Sequence, residues 1–473
     1  MKKLVVACAL ALSGTASATP WLDTSDNSLR QSLQTLAQAG VLTGPVNTYP
    51  IMWKNIAIDL NQLDINTLSP ELRFAALHLS AALAANRARQ TNGLKLKLNS
   101  APSPAQNFGE DYFEKAAATF FSEYQDDRWA GRLQVSLRRT EDSSPEDSSD
   151  KQNTVYDGSY LAAIMGNWVL SFDQNSQWWG PGQQSSLLLS NNARPLPAVR
   201  LSRHSWRADE RPWLNWLGPW SISTFVGRGQ HNSSIANVKY WGGRATVRPI
   251  NALELGVSRT VQWGGEGQSN SFSTMWDLIS YDRRDEIQAD QRAALDLSYH
   301  LNSFGLPLTL YAEIADDDNS SGLPDKALQL YGVRTFWGEA QALHSLNLEY
   351  SDSYLQCEDS LEPGNCAYQG TFYPEGYRRY GRVIGSGYGA DAKVLSSGYL
   401  YQLPDGQNWS AQLAYATYYQ GINSDSSWQL KLQHQRPLFS GLLQLQSRFL
   451  QKSPLRPEQD KSLSLTASWE YRY

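Results

Sequence analysis

Past residue 12 the chain lacks any apolar run of about 18 residues, so no membrane-spanning helix can be drawn through it. It is short of catalytic and metal-binding patterns too. The six histidines are scattered with no metal-ligand spacing. His204 and Ser205 are adjacent, and neighbours in a regular strand face opposite ways, so they cannot form a nucleophile–base pair. Nothing points to the two placed carboxylates that a glycosidase needs. Asp316-Asp317-Asp318 reads as a solvated acidic loop rather than a Ca²⁺ site. The expectation is a protein that is not an enzyme, with no cofactor and no metal. Positive charge is also scarce. Without Lys2 and Lys3 the 41 basic residues fall to 39, against 46 acidic ones, a formal charge of −7 that argues against nucleic acid as a partner.

Lys2 and Lys3 are set aside because the start reads as an export signal. Met1-Lys2-Lys3 precedes an apolar stretch from Leu4 to Leu12, and small residues lead to Ala16-Ser17-Ala18. This is the layout of a secretory signal peptide cut after Ala18. Cys8 falls inside the apolar stretch, which does not suit a lipoprotein. Two cysteines are left, Cys357 and Cys366, and in an exported chain they read as one disulfide closing a small loop. Mean hydropathy is negative at −0.48. A membrane β-barrel has the same signature, because its strands show lipid only every second residue. What the chain has in abundance is aromatic: 17 Trp and 24 Tyr against 4 Met, a composition of membrane interfaces and carbohydrate binding.

Two periodicities divide the chain. From Asp26 to Leu42, Leu29, Leu33, Leu36 and Ala37 recur at helical spacing; a second helix is predicted over Trp53–Asn61 and a third from Ser69-Pro70-Glu71 to about Gln90. Ser69 is the expected N-cap of the third, with Pro70 in its first turn. These pieces form a small N-terminal helical unit over 19–93. From Leu94 onward the period is two. Eighteen strands are predicted, near 94–98, 116–125, 129–139, 155–165, 167–172, 197–205, 219–228, 238–248, 251–261, 289–301, 306–314, 328–337, 343–352, 389–403, 409–419, 427–436, 441–451 and 462–473. In the last, Leu463, Leu465, Ala467, Trp469, Tyr471 and Tyr473 share one face and Ser464, Thr466, Ser468, Glu470 and Arg472 the other.

Every second link is short, among them Gly166, Pro249-Ile250 and Pro437 to Ser440; the exception is 206–218. The alternate links, such as 173–196, 262–288 and 353–388, are mostly long and polar, Gly-rich or acidic. Tight turns on one side and long loops on the other are the mark of an outer-membrane antiparallel barrel. An even strand count puts both ends, and the helical unit, on the periplasmic side. The fold class is all-β: a transmembrane barrel over 94–473 with a periplasmic helical appendage.

Two links hold the residues suited to a ligand. In one, Trp178-Trp179-Gly180-Pro181 puts two indoles on a tight turn, followed by Ser190-Asn191-Asn192-Ala193-Arg194-Pro195. Indole faces stack on the C–H faces of sugars, and Asn and Arg bond hydroxyls and carboxylates; interface anchoring or packing inside the barrel is the structural alternative for each Trp. In the other, Arg378, Arg379 and Arg382 lie among tyrosines, a setting for anionic glycan because guanidinium pairs bidentately with carboxylate. A third stretch, Tyr281-Asp282-Arg283-Arg284-Asp285-Glu286, reads as a self-paired charged network.

The Trp178–Pro195 run resembles the hallmark of the capsule-assembly Wzi family. Tyr373-Pro374-Glu375-Gly376-Tyr377-Arg378 with Gly381-Arg382-Val383-Ile384-Gly385 resembles a second family block, and Asp282-Arg283-Arg284 more loosely a third, without its Gly-rich setting. The likeness spans essentially the whole chain. It implies an 18-stranded outer-membrane barrel with a periplasmic helical bundle, acting as a lectin that holds capsular or other anionic surface polysaccharide. By resemblance, Trp178, Trp179, Arg194, Tyr377, Arg378 and Arg382 are the glycan-site positions. The remaining partner is outer-membrane lipid; the oligomeric state is open, with a monomer favoured. A porin-like diffusion channel is the alternative function, since eighteen strands can enclose an aqueous lumen.

Overall fold

The computed structural model describes residues 20–139, 152–208, 211, 214–280, 289–303, 305–317, 327–339, 341–355, 367–370, 372–420, 423–453 and 456–473. The signal segment up to Ala18, the charged stretch 281–286 and the cysteines Cys357 and Cys366 lie outside the described residues.

Three helices form in the N-terminal unit, α1 (Asn27–Gln38), α2 (Trp53–Asn61) and α3 (Pro70–Ala85); the third stops at Ala85, short of the expected end near Gln90, which instead opens the first barrel strand. Asp26 caps α1, its carboxylate accepting from the backbone N–H of Ser28 and Leu29 at 2.7 and 3.1 Å, which satisfies donors that a helix start leaves orphaned. Ser69 holds the N-cap position of α3 and Pro70 its first turn, but the expected side-chain cap bond is not made. Leu33, Leu36, Ile56, Ala75, Ala76 and Leu79 are fully buried between the helices. Phe336 and Leu343 of the barrel belong to the same cluster, so the helical unit shares its core with the wall it sits on.

Eighteen strands close into an antiparallel barrel. In chain order they are β1 (Gln90–Asn99), β2 (Ala116–Gln125), β3 (Trp129–Arg139), β4 (Thr154–Val155 and Tyr160–Met165), β5 (Trp168–Asp173), β6 (Ala198–Arg203), β7 (Trp220–Arg228), β8 (Lys239–Ile250), β9 (Leu253–Trp263), β10 (Ala289–Ser303), β11 (Leu306–Asp317), β12 (Ala327–Glu339), β13 (Ala342–Asp352), β14 (Ala392–Gln402), β15 (Asn408–Gln420), β16 (Asn423–Leu438), β17 (Gly441–Ser453) and β18 (Arg456–Arg472). The ring is sealed by β18 on β1, with Tyr471 opposite Leu94 and Trp469 opposite Leu96. Closure leaves no unpaired edge, which is what lets a sheet cross a bilayer.

The sequence reading of strand four as one continuous piece is corrected. Val155 faces Ser136 and Tyr160 faces Arg132, so five steps on β4 span four on β3. The extra residue makes a bulge, and Gly158 supplies the positive φ of +86° that the turn requires.

Along every strand, residues alternate between lipid and lumen. Leu98, Leu133, Phe172, Leu295 and Leu463 are among the most exposed apolar side chains and face outward. Many inward positions are polar or charged, and several of the charges are paired. Arg244 meets Asp296 at 2.6 Å and Arg200 meets Asp173 at 2.9 Å, both pairs buried. An ion buried without a partner is strongly destabilising, so such pairs fix the side chains that line the lumen.

The lumen is filled from both ends. At the end that carries the N-terminal unit, Arg248 on β8 donates to the carbonyls of Ala37, Leu42 and Asn251, and Glu254 on β9 accepts the N–H of Val46 and Asn47, each at 2.9 Å. From the outer side, the links 100–115, 174–197 and the described part of 353–391 turn inward and pack on one another.

Candidate functional site

The link between β5 and β6 enters the barrel and pairs with the N-terminal unit. Trp178 and Trp179 form a two-residue antiparallel ladder with Tyr49 and Thr48. The Trp178 indole lies 5.4 Å from the Phe108 ring, edge to face, with the Arg30 guanidinium 5.2 Å from its centre, and its Nε1–H donates to Gly182 O at 3.1 Å. Burial lowers the Arg30 pKa, opposed by the charges of Tyr49 and Glu349. Trp179 packs on Phe225 at 5.7 Å. Gly180 has φ +134°, and a Cβ there would meet Glu313 at 2.6 Å, so only glycine allows this approach.

Carboxylates on the wall hold the link by its backbone. Glu349 on β13 accepts from the N–H of Gln183, Gln184 and Ser185 at 2.6, 3.1 and 3.1 Å and from Tyr311 OH at 3.0 Å. Glu313 on β11 accepts from Leu187 N–H at 3.0 Å. A buried loop must satisfy its backbone groups, and here side-chain carboxyl groups of the wall do so.

The expected site residues fall into two groups. Trp178 and Trp179 are 0% and 1% exposed and Tyr377 is 2% exposed; in this packing no indole face is open to solvent, and the rings position the link. Tyr377 stacks on Tyr368 at 6.4 Å, with the Arg292 guanidinium 4.6 Å from its ring. Arg382 is a tie between three links: it donates to Asn192 O at 2.6 Å, Ser103 O at 3.0 Å and Pro104 O at 3.3 Å. The hairpin carrying it pairs Arg378 with Val383 and Arg379 with Arg382.

Arg378 stands nearer to solvent, whereas Arg194 is buried, 6% exposed against 8% for Arg382. Arg378, half-buried, reaches Gln369 Oε1 and Glu375 O, both at 3.4 Å. Arg194 chelates Asp157 through Nε at 2.7 Å and Nη2 at 2.6 Å, and its guanidinium lies 5.9 Å from the Tyr380 ring, which Arg379 approaches at 5.2 Å. Trp178, Trp179 and Tyr377 are thus in the interior, whereas Arg194, Arg382 and the Tyr380 hairpin meet at the outer end.

Arg194 opens onto a polar cleft of 160 Å³ between the 103–114 segment and the inner faces of β1–β4. Its other polar lining includes Lys95, Lys97, Asp111, Gln134, Asp157 and Asn191. Lys97 pairs with Glu114 at 2.6 Å and with Asp111 at 3.3 Å; Lys95 also reaches Asp111 at 3.3 Å. Packing opposes charge on Asp111, but the two ammonium groups outweigh it and hold its carboxyl well below the usual range. A second cavity of 380 Å³ continues toward the N-terminal unit and shares Asp23, Lys95, Arg132, Glu470 and Arg472 with the first. Hydroxyls and carboxylates find both donors and acceptors along this wall.

Motif reasoning missed most of this cleft. Lys95 and Lys97 carried the one available signal, since both sit on the inward face of the alternating run Leu94 to Leu98. Asp111 and Asp157 had none: each enters through folding of a link.

The family described as capsule assembly protein Wzi matches residues 88–472. A Klebsiella pneumoniae protein described as an uncharacterized 55.8 kDa protein in the cps region is 28% identical over 401 residues, covering 83% of this chain and 76% of its own length. The solved Escherichia coli outer-membrane protein Wzi, involved in group 1 capsule assembly and a carbohydrate-binding β-barrel, superimposes with a TM-score of 0.81 at 25% identity, over 97% of this chain and 99% of that one.

Proposed function

This chain belongs to the capsule assembly Wzi family, and from that membership we propose that it is an outer-membrane lectin that binds capsular or other anionic surface polysaccharide and anchors it to the cell. The observation that carries the reading is the polar cleft beside the Arg194–Asp157 pair, inside a filled barrel. Guanidinium groups pair with carboxylates such as uronates, and Asp157, Gln134 and Asn191 line the same cleft with partners for ring hydroxyls. The small volume suits a sugar at a chain end or branch rather than a threaded polymer. Arg194 and Arg378 are the contacts in this reading. Arg382, Tyr377, Trp178 and Trp179 act through position, by holding the three links together. The role is binding, with no chemical step.

The alternative of an open diffusion channel is opposed by the buried Trp178–Trp179 plug and the carboxylates that fasten it.

Binding of purified wild-type and Arg194→Ala protein to the host's own surface polysaccharide tests the proposal. Loss of a charged hydrogen-bond donor removes about 1.5–3 kcal/mol, so the variant is expected to bind roughly 10- to 100-fold more weakly. Equal binding by both proteins, or none by the wild type, would overturn it.

A further inference from the structure

On β9 the inward positions include Glu254, Ser258 and Gln262, all buried; Glu254 holds the N-terminal unit and Gln262 donates to Tyr240 OH at 3.1 Å. The alternate positions, Leu255, Val257, Arg259, Val261 and Trp263, therefore face out of the barrel. Leu255 and Val257 are 38% and 51% exposed, as a lipid-facing wall requires, but Val261 and Trp263 are only 2% and 3% exposed. What covers them is the link that follows β9. Among the described residues it holds the one α-helix outside the N-terminal unit, α4 (Phe272–Ile279), capped by Ser271, whose Oγ accepts from Thr274 N–H at 3.1 Å. Met275 and Leu278 of α4 pack with Val261, Trp263 and Ala289, and Trp241 and Ile279 border them.

The helix thus lies on the outside of the wall, at the end of β9 away from the N-terminal unit. Arg259 fixes how far along the wall it reaches. This outward side chain donates to the last helical carbonyls, Leu278 O and Ile279 O, at 2.7 and 2.9 Å, and to Gln291 Oε1. Those carbonyls are the ones a helix end leaves without partners, and a cation suits that end. Two residues further along β9, about 7 Å, Val257 faces Leu295, which is 66% exposed on the lipid side. The helix therefore ends at the edge of the lipid-exposed band.

Its apolar surface is wider than the wall uses. At about 100° per residue, Leu278, Met275, Ile279, Phe272 and Trp276 follow one another around an arc of about 160°. Ser280, Ser273, Asp277 and Thr274 fill the rest. The wall takes Met275 and Leu278. Phe272 and Trp276, one turn apart, are left 73% and 59% exposed.

We propose that α4 is an interfacial helix, whose Phe272 and Trp276 enter the headgroup–acyl boundary of the leaflet at the long-link end of the barrel. One part of its apolar arc meets the wall, the next meets lipid, and the polar arc stays in water. Aromatic rings at this level continue the aromatic girdle of a membrane barrel. Sugar stacking would call for the same rings, but α4 lies on the outer face of the wall beside the lipid-exposed row, not over the lumen that holds the polar cleft.

The test is fluorescence quenching of the purified protein in phosphatidylcholine nanodiscs. The emission of Trp276 is isolated as the difference between wild type and Trp276→Phe, which keeps a ring in place. Retained folding is checked by the heat-dependent gel mobility of a barrel. The Trp276 emission is expected to lose most of its intensity when the lipid carries bromines high on its acyl chains, and little with acrylamide in the water. An indole moved to the polar arc, Ser273→Trp in the Trp276→Phe protein, is expected to show the reverse. Strong acrylamide quenching of Trp276 without quenching by the brominated lipid would overturn the proposal, as would the same response at both positions. So would shielding of Trp276 from acrylamide by the host's surface polysaccharide and not by the bilayer, because the face would then be a sugar platform.

Discussion

At the scale of single residues, the fold depends on a few charged groups that are buried with their partners. Glu349 alone accepts three consecutive backbone N–H groups of the inward link and the Tyr311 hydroxyl. Glu349→Ala would leave these donors unpaired in the lumen, a loss of roughly 3–5 kcal/mol. The expected outcome is protease cleavage within 183–186 that the wild type resists; equal resistance would contradict this role for the carboxylate. Two histidines are expected to make the junction between the N-terminal unit and the barrel sensitive to acid. His204, whose carbonyl accepts from Asn55 Nδ2, has its pKa lowered to about 4 by burial and then by Lys54. His78 on α3, beside Ser32 Oγ, is lowered by burial as well. Both are neutral when folded and take up protons more readily when unfolded. The contribution of His204 is therefore complete above pH 6.5 and is lost as pH falls toward about 4, and that of His78 is lost in the same direction. Resistance to unfolding should decline over that window, and His204→Gln should flatten part of the decline. A wild-type profile that stays level between pH 7 and 4 would contradict it.

At the scale of elements, the strands were legible and the links were not. A strand in a bilayer repeats every two residues whatever its partners are, so Leu463 to Tyr473 could be read as lipid-facing from the sequence, and Leu463 and Leu465 do face outward. The extra residue in β4 escaped, because Tyr156-Asp157-Gly158-Ser159 alternates well enough to hide a bulge. The inward turn of 174–197 escaped for a deeper reason. Trp178 is buried by Tyr49, Phe108 and Arg30, and Trp179 by Phe225, all far away in the sequence. The indoles were visible as chemistry, but whether they face a sugar or a core is decided by residues that no local pattern connects to them. Arg382 is the same case: its carbonyl partners at Ser103, Pro104 and Asn192 come from two other links.

At the scale of the whole molecule, eighteen strands enclose a space that the N-terminal unit and the inward links occupy. The wild-type protein in a planar bilayer should conduct far less than an open barrel of this size, and shortening the link between Gln177 and Ser190 should raise the conductance. Large, steady wild-type currents would show that the plug does not hold. The proposed function is that this filled barrel, with its polar cleft, holds a polymer on the surface rather than passing it through the membrane. The most direct test of that claim is to delete the gene in its host and measure cell-bound polysaccharide against polysaccharide shed into the medium. The expected result is unchanged total synthesis with the polymer shifted into the medium, restored by the wild-type gene and not by Arg194→Ala. An unchanged distribution in the deletion strain would contradict the anchoring function.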